Sequence, residues 1–98
     1  MFWVADGCPK RGKDVEAGYK PKSFQAGVRC CSEDGRKCIT LGKCPKDNMS
    51  KDEAASKCAD KGYTLCTKDQ LSSNLCCRKG GNCDSYQVWT STKSGTYC

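Results

Sequence analysis

The hydrophobic pattern of this chain becomes regular only between Ser50 and Cys77. Ala54, Ala55, Cys58 and Ala59 recur at the spacing of one helical face, while Lys51, Asp52, Lys57 and Lys61 fall on the wet side. Ser50 followed by Glu53 has the form of a capping box, with Met49 placed to pack on Ala54 as its hydrophobic staple. Gly62 supplies the left-handed residue that closes a helix, so the pattern predicts a helix over about 51–61. Tyr63–Cys66 is long enough for a short strand. Thr67 and Gln70 then form a second capping box, with Cys66 and Leu71 as its staple, and predict a helix over about 68–73.

Outside this stretch the pattern is that of short strands and turns. Val28–Cys31 and Lys37–Thr40 flank Ser32–Arg36, whose Asp34-Gly35 marks a hairpin with a loop longer than two residues. Gly42, Cys44 and Pro45 make a turn. Tyr86–Thr90 has the highest β propensity in the chain and reads as a core strand. Arg78–Asn82 reads as loop, and 92–98 as a tail that adds a last strand or frays. Phe2–Val4 fits an edge strand, and the rest of 1–27 a basic, loop-rich segment held by Cys8. We expect one α+β domain over 1–98: two short helices packed on a small antiparallel sheet, with 28–98 as the helix and sheet core.

Composition changes what holds such a domain together. The chain has 98 residues and a mean hydropathy of −0.73, so its apolar core is thin. It also has eleven cysteines, above the density that marks a small disulfide scaffold. That usage places it in an oxidising, secreted setting. Structural zinc typically uses paired Cys-x-x-Cys ligands, often with histidine; the sequence has neither, so no metal and no cofactor are expected. Cys8, Cys30, Cys31, Cys38, Cys44, Cys58, Cys66, Cys76, Cys77, Cys83 and Cys98 are therefore read as bridge-formers with one left over. Connectivity is open at this level. Neighbours in the Cys30-Cys31 and Cys76-Cys77 pairs are expected to take different partners, because successive side chains of extended chain face opposite sides. Cys8 and Cys98 are the candidates for the odd thiol, which would permit a covalent dimer.

Charge then points to a surface. The chain carries a formal net charge of +6, all of it between Lys10 and Lys46, where ten Lys/Arg meet four Asp/Glu. Lys10, Arg11, Lys13, Lys20 and Lys22 interleave with Tyr19 and Phe24, and Arg78, Lys79 and Tyr86 stand near the other chain end. Clustered in space, such residues attract polyanions such as sulfated glycans or acidic proteins; dispersed, they only keep a secreted domain soluble. No nucleic-acid-binding motif is present. Met1–Val4 is too short for the apolar core of a signal peptide, and no run reaches the length of a transmembrane segment. We expect a mature or excised domain whose Met1 was added for expression. Without histidine, nucleophilic catalysis lacks its commonest base, and we expect no enzyme.

Glu53-Ala54, Cys58, Gly62, Leu65, Thr67, Gln70-Leu71, Cys76-Cys77, Asp84 and Val88-Trp89-Thr90 follow the order EA…C…G…L.T..QL…CC…D…VWT. With Arg29-Cys30-Cys31-Ser32 ahead of it, this pattern over 27–91 resembles cysteine-rich extracellular domains of marine invertebrate proteins. More distantly, it is similar to C-type-lectin-like and Link modules. The lectin resemblance implies sugar binding, but the EPN-, QPD- and WND-like calcium motifs do not occur. The Link resemblance implies metal-free recognition by basic and tyrosine side chains, for which Tyr63, Tyr86, Arg78 and Lys79 are available.

The expected function is a secreted, calcium-independent binding module for an extracellular glycan or protein, acting through the basic first half and exposed tyrosines. The alternative is a cationic secreted effector: a toxin, an antimicrobial or a protease inhibitor.

Overall fold

Val28–Cys31 is the strand on which the architecture turns, because all four of its residues are fully buried. The computed structural model describes residues 1–11 and 17–93; Lys13 and Cys98, and the Arg11 side chain, lie outside the described residues. In chain order the elements are β1 (Phe2–Asp6), a 3-10 turn (Pro9–Arg11), β2 (Gly18–Lys20), β3 (Val28–Cys31) and β4 (Cys38–Leu41). These are followed by α1 (Lys51–Asp60), β5 (Thr64–Leu65), α2 (Lys68–Ser72) and β6 (Gln87–Lys93). This is the small disulfide-rich α+β domain expected, with both helices in place.

The strands form two sheets where one was expected. One has the order β2-β1-β6 and the other β4-β3-β5, with every strand pair antiparallel. A bridge between Gly27 and Val88 joins them. Phe2–Asp6 is also not the edge strand its position suggested: it is the central strand of its sheet, hydrogen-bonded to β2 on one side and β6 on the other. Its partner Gln87–Lys93 comes from the far end of the sequence, so no local signal announces the pairing. The segment 1–27, read as loop apart from Phe2–Val4, thus contributes two strands.

Side-chain alternation along β3 sends residues to two cores. Val28 and Cys30 join Val4, Ala26, Ala54, Cys58, Leu65 and Trp89. Cys31 joins Cys38, Cys44, Cys66, Leu71, Cys76, Cys83 and Val88, a cluster made chiefly of sulfur. The bridges are Cys8–Cys77, Cys30–Cys58, Cys31–Cys66, Cys38–Cys76 and Cys44–Cys83. Each adjacent cysteine pair does split between two partners. Cys8 is not an odd thiol, because it is bridged to Cys77. Separations of 28 to 69 residues make each bridge worth roughly 3–4.5 kcal/mol in the entropic picture of a constrained unfolded chain.

The caps differ from one another. Thr67 Oγ1 accepts from Gln70 N at 3.0 Å and Gln70 Oε1 accepts from Thr67 N at 2.9 Å, a complete capping box. Ser50 occupies the N-cap position of α1, but its side chain makes no cap bond; its hydroxyl donates to Glu53 Oε1 at 3.1 Å. The reciprocal box expected there is not formed. At the other end Gly62 has φ +76°, with Gly62 N bonded to Ala59 O and Tyr63 N to Cys58 O, the paired bonds of a Schellman closure. Ala59, expected on the inner face, is exposed; Ala54 and Cys58 carry the burial. Thr67→Ala is therefore expected to cost about 1 kcal/mol and Ser50→Ala only a few tenths. Urea unfolding of the two variants checks this, and an equal or reversed ranking would contradict the cap assignment.

Candidate functional site

The register of β1 places a phenylalanine between lysines. Phe2 lies opposite Lys20 on one side and opposite Lys93 on the other. Its ring packs against the first core cluster, so the strand end is anchored while its neighbours reach solvent. Lys51, the first residue of α1, lies with Nζ 4.2 Å from the centroid of the Phe2 ring. Lys20 Nζ lies 5.1 Å from the Phe24 centroid, and Phe24 meets the buried Trp89 edge-on at 6.1 Å. Ring contacts of this kind are worth about 0.5–1 kcal/mol at exposed sites and hold an ammonium in place without neutralising it.

Beside Phe2 is a depression of about 490 Å³ lined by Met1, Phe2, Pro21, Lys22, Ser23 and Lys93. Its floor is apolar and its rim is cationic. On this rim Asp52 Oδ2 lies 3.9 Å from Lys22 Nζ with both side chains well exposed, an arrangement of little strength. Lys22 and Lys93 thus line the depression, Lys51 rests on the Phe2 ring, and Lys20, opposite Phe2 in the register, rests on the neighbouring Phe24 ring. On the other face of the sheet, Trp3 and Tyr19 meet edge-on at 5.2 Å with Lys68 Nζ 4.0 Å from the Trp3 centroid. Tyr19 is the exposed large hydrophobic residue of the described chain, at 38%.

The residues singled out in the sequence do not share a face. Tyr19, Lys20 and Lys22 gather at the Phe2 end of β1. Lys10 and Arg78 lie at the other end, around a second cavity of about 440 Å³ with Cys8, Asn74 and Cys77. The two ends of the five-residue strand are about 13 Å apart. Lys79 is exposed next to Arg78, and Tyr86 is half-buried against the sulfur-rich cluster. Arg11 continues the 3-10 turn after Lys10. Lys51, Lys93, Met1, Phe2 and Pro21 were missed. Reading Gln87–Lys93 as one strand would have brought Lys93 into view.

The loop at the second end hangs on one buried cation. Arg29 is fully buried, and its Nη2 donates to Asp84 Oδ1 at 2.7 Å and to Gly80 O at 3.2 Å. Its Nη1 donates to Gly7 O at 2.8 Å and to Cys76 O. Burial pulls the guanidinium below its ordinary value, while the Asp84 hydrogen bond and charge oppose that shift. Asp84 also accepts from Arg78 N at 3.1 and 3.2 Å. Arg29 is thus structural, and one of the ten Lys/Arg counted toward a basic surface is not on it.

The Sγ atoms of Cys31, Cys38, Cys66 and Cys76 lie within 4.8 Å of one another, the one such His/Cys/Asp/Glu group among the described residues. They form two bridges whose nearest sulfurs, on Cys66 and Cys76, are 3.5 Å apart. Metals bind thiolates, and bridged sulfur carries no such charge. The convergence is invisible in the sequence because the four positions span 31 to 76. Comparison of the chain with protein-family models, with curated proteins and with solved structures returns no match.

Proposed function

We propose that the protein is a secreted binding module that takes a polyanionic glycan on the lysine-ringed depression at the Phe2 end of the first sheet. The observation that carries this reading is the gathering of four lysines about Phe2: Lys22 and Lys93 in the depression's lining, Lys51 on the Phe2 ring, and Lys20 opposite Phe2 in the register. Sulfate and carboxylate groups suit the ammonium rim, and the apolar faces of sugar rings suit the floor. A cavity of this size is in the range of small-ligand sites. Lysines braced on rings lose less freedom on binding than unsupported ones, which lowers the cost of association. Five bridges suit an oxidising compartment, and no helix among the described residues is long and apolar enough to cross a membrane.

The alternative, a cationic secreted effector (a toxin, an antimicrobial or a protease inhibitor), draws less support where it would act on membranes, because exposed large apolar side chains are scarce among the described residues.

Heparin-affinity chromatography tests the proposal. The combined variant Lys20→Glu, Lys22→Glu, Lys93→Glu is expected to weaken binding by about a hundredfold at low salt, since three attractive charges become repulsive. Lys57→Glu with Lys61→Glu, exposed near the end of α1, serves as the control and is expected to elute close to the parent. Equal losses in both variants would reduce the binding to net charge and remove the site.

A further inference from the structure

Of the ten bridged cysteines, Cys77 is the one that is not buried. Its bridge to Cys8 forms part of the wall of the second cavity, with Lys10, Asn74 and Arg78 as the other lining residues. Both cations are exposed. Arg78 follows Cys77 directly with φ +60°, and Asn74, three positions before it, has φ +68°. Asn74 Oδ1 lies 3.7 Å from Cys77 Sγ. By contrast, the Cys31–Cys66 and Cys38–Cys76 pair is packed sulfur on sulfur inside the second core, with all four residues buried.

Thiol–disulfide exchange needs a thiolate to reach one sulfur of the bridge and a stabilised thiolate to leave from the other. The exposed cations Lys10 and Arg78 favour the first, by attracting an anionic thiol to the cavity that Cys77 lines. We propose that Cys8–Cys77 is an exchange site for a small anionic thiol, of the class of carboxylate-bearing cysteinyl peptides such as glutathione. The thiolate attacks Cys77 Sγ, forming a new S–S bond. The Cys8–Cys77 bond breaks, and its electron pair leaves on Cys8 Sγ, which takes a proton from water. A second thiolate attacks the sulfur of the bound peptide, releasing the peptide disulfide and the Cys77 thiolate. Two thiols are oxidised for one bridge reduced.

The domain does not depend on this bridge alone to hold the Cys8 segment. Cys8 N bonds to Asp84 O, Gly7 N to Tyr86 O, and Arg29 holds Gly7 O. Four bridges persist elsewhere. Opening it therefore leaves a folded scaffold in which the freed Cys8 thiol is buried and the half-buried Cys77 carries the adduct.

The test exposes the whole folded chain to reduced glutathione or to cysteamine, a cationic thiol, at matched thiolate concentration. Samples are quenched by alkylation and mapped by mass spectrometry. Glutathione is expected to open Cys8–Cys77 first, to leave its adduct on Cys77, and to act on the order of tenfold faster than cysteamine at low salt, with the gap closing at high salt. The exposed-site variant Lys10→Glu, Arg78→Glu, with its bridges confirmed by mapping, is expected to reverse the preference. Opening of a different bridge first, an adduct on Cys8, or equal rates for the two thiols in parent and variant would each overturn the proposal.

Discussion

Replacing Arg29 with Met is expected to destabilise the protein by about 3–5 kcal/mol, the cost of breaking a buried ion pair by removing one partner. The substitution keeps much of the side-chain volume but strips the carbonyls of Gly7, Cys76 and Gly80 and the Asp84 carboxylate of their common donor. These acceptors belong to the turn after β1 and to the segment 76–84, so the loss falls on the end of the molecule that holds the Cys8–Cys77 cavity. Arg29→Lys is not a rescue, because one ammonium cannot span acceptors that a planar fork reaches from both nitrogens. Thermal unfolding of the bridged protein reads the effect, expected as a fall of more than about 15 °C for a domain of this size. A fall of only a few degrees would mean that the ion pair is dispensable to the fold.

Gly27→Ala is expected to be nearly as damaging. A Cβ at Gly27 would stand 2.2 Å from Cys44 Sγ, 3.2 Å from Val88 Cγ1 and 3.3 Å from Cys83 Sγ. The sulfurs belong to one bridge and cannot swing away. The backbone cannot retreat either, because Gly27 N bonds to Gln87 O and Trp89 N to Gly27 O, both at 3.0 Å, at the seam of the two sheets. Overpacking of this kind costs about 1–3 kcal/mol in cores that can adjust, and this position is expected at or above the upper end. Denaturant unfolding of Gly27→Ala, alone and with Cys44→Ala and Cys83→Ala together, separates the causes. The glycine penalty should shrink once the bridge is gone, and an unchanged penalty would locate the strain elsewhere.

What was legible in the sequence is what is local. The two helices, the Gly62 closure, the Thr67 box and the hairpin around Asp34-Gly35 are each specified within about a dozen neighbouring residues. Ser32 Oγ and Arg36 N donate to Asp34 Oδ1 in that hairpin, holding the carboxyl below its usual range, and the turn residues announce it. The split of Cys30 and Cys31 follows from strand alternation and was also legible; Cys76 and Cys77 split as expected too, but in a turn rather than a strand. The remainder depends on contacts across the whole chain. Phe2–Asp6 looks like an edge because its partner begins at Gln87. Arg29 within Val-Arg-Cys-Cys looks like an exposed strand position, and its acceptors come from residues 7, 76, 80 and 84.

The basic surface shows the same limit. Counting charge located the excess in the first half, but the sheet sorts it by position along β1. Lys20 and Lys22 go to one end, where Lys51 and Lys93 from the neutral half join them. Lys10 goes to the other end and meets Arg78. Two small cationic sites with different linings replace the single basic face. One has an aromatic floor and the other an exposed bridge.

Whether the glycan sits at the Phe2 end is read by two-dimensional NMR, with a sulfated heparin oligosaccharide titrated into labelled protein. The largest shifts are expected at Phe2, Lys20, Lys22, Ser23 and Lys93, with Lys51 beside them and little change at Lys10, Asn74 and Arg78. Largest shifts at Lys10, Asn74 and Arg78, or no shifts at all, would contradict it.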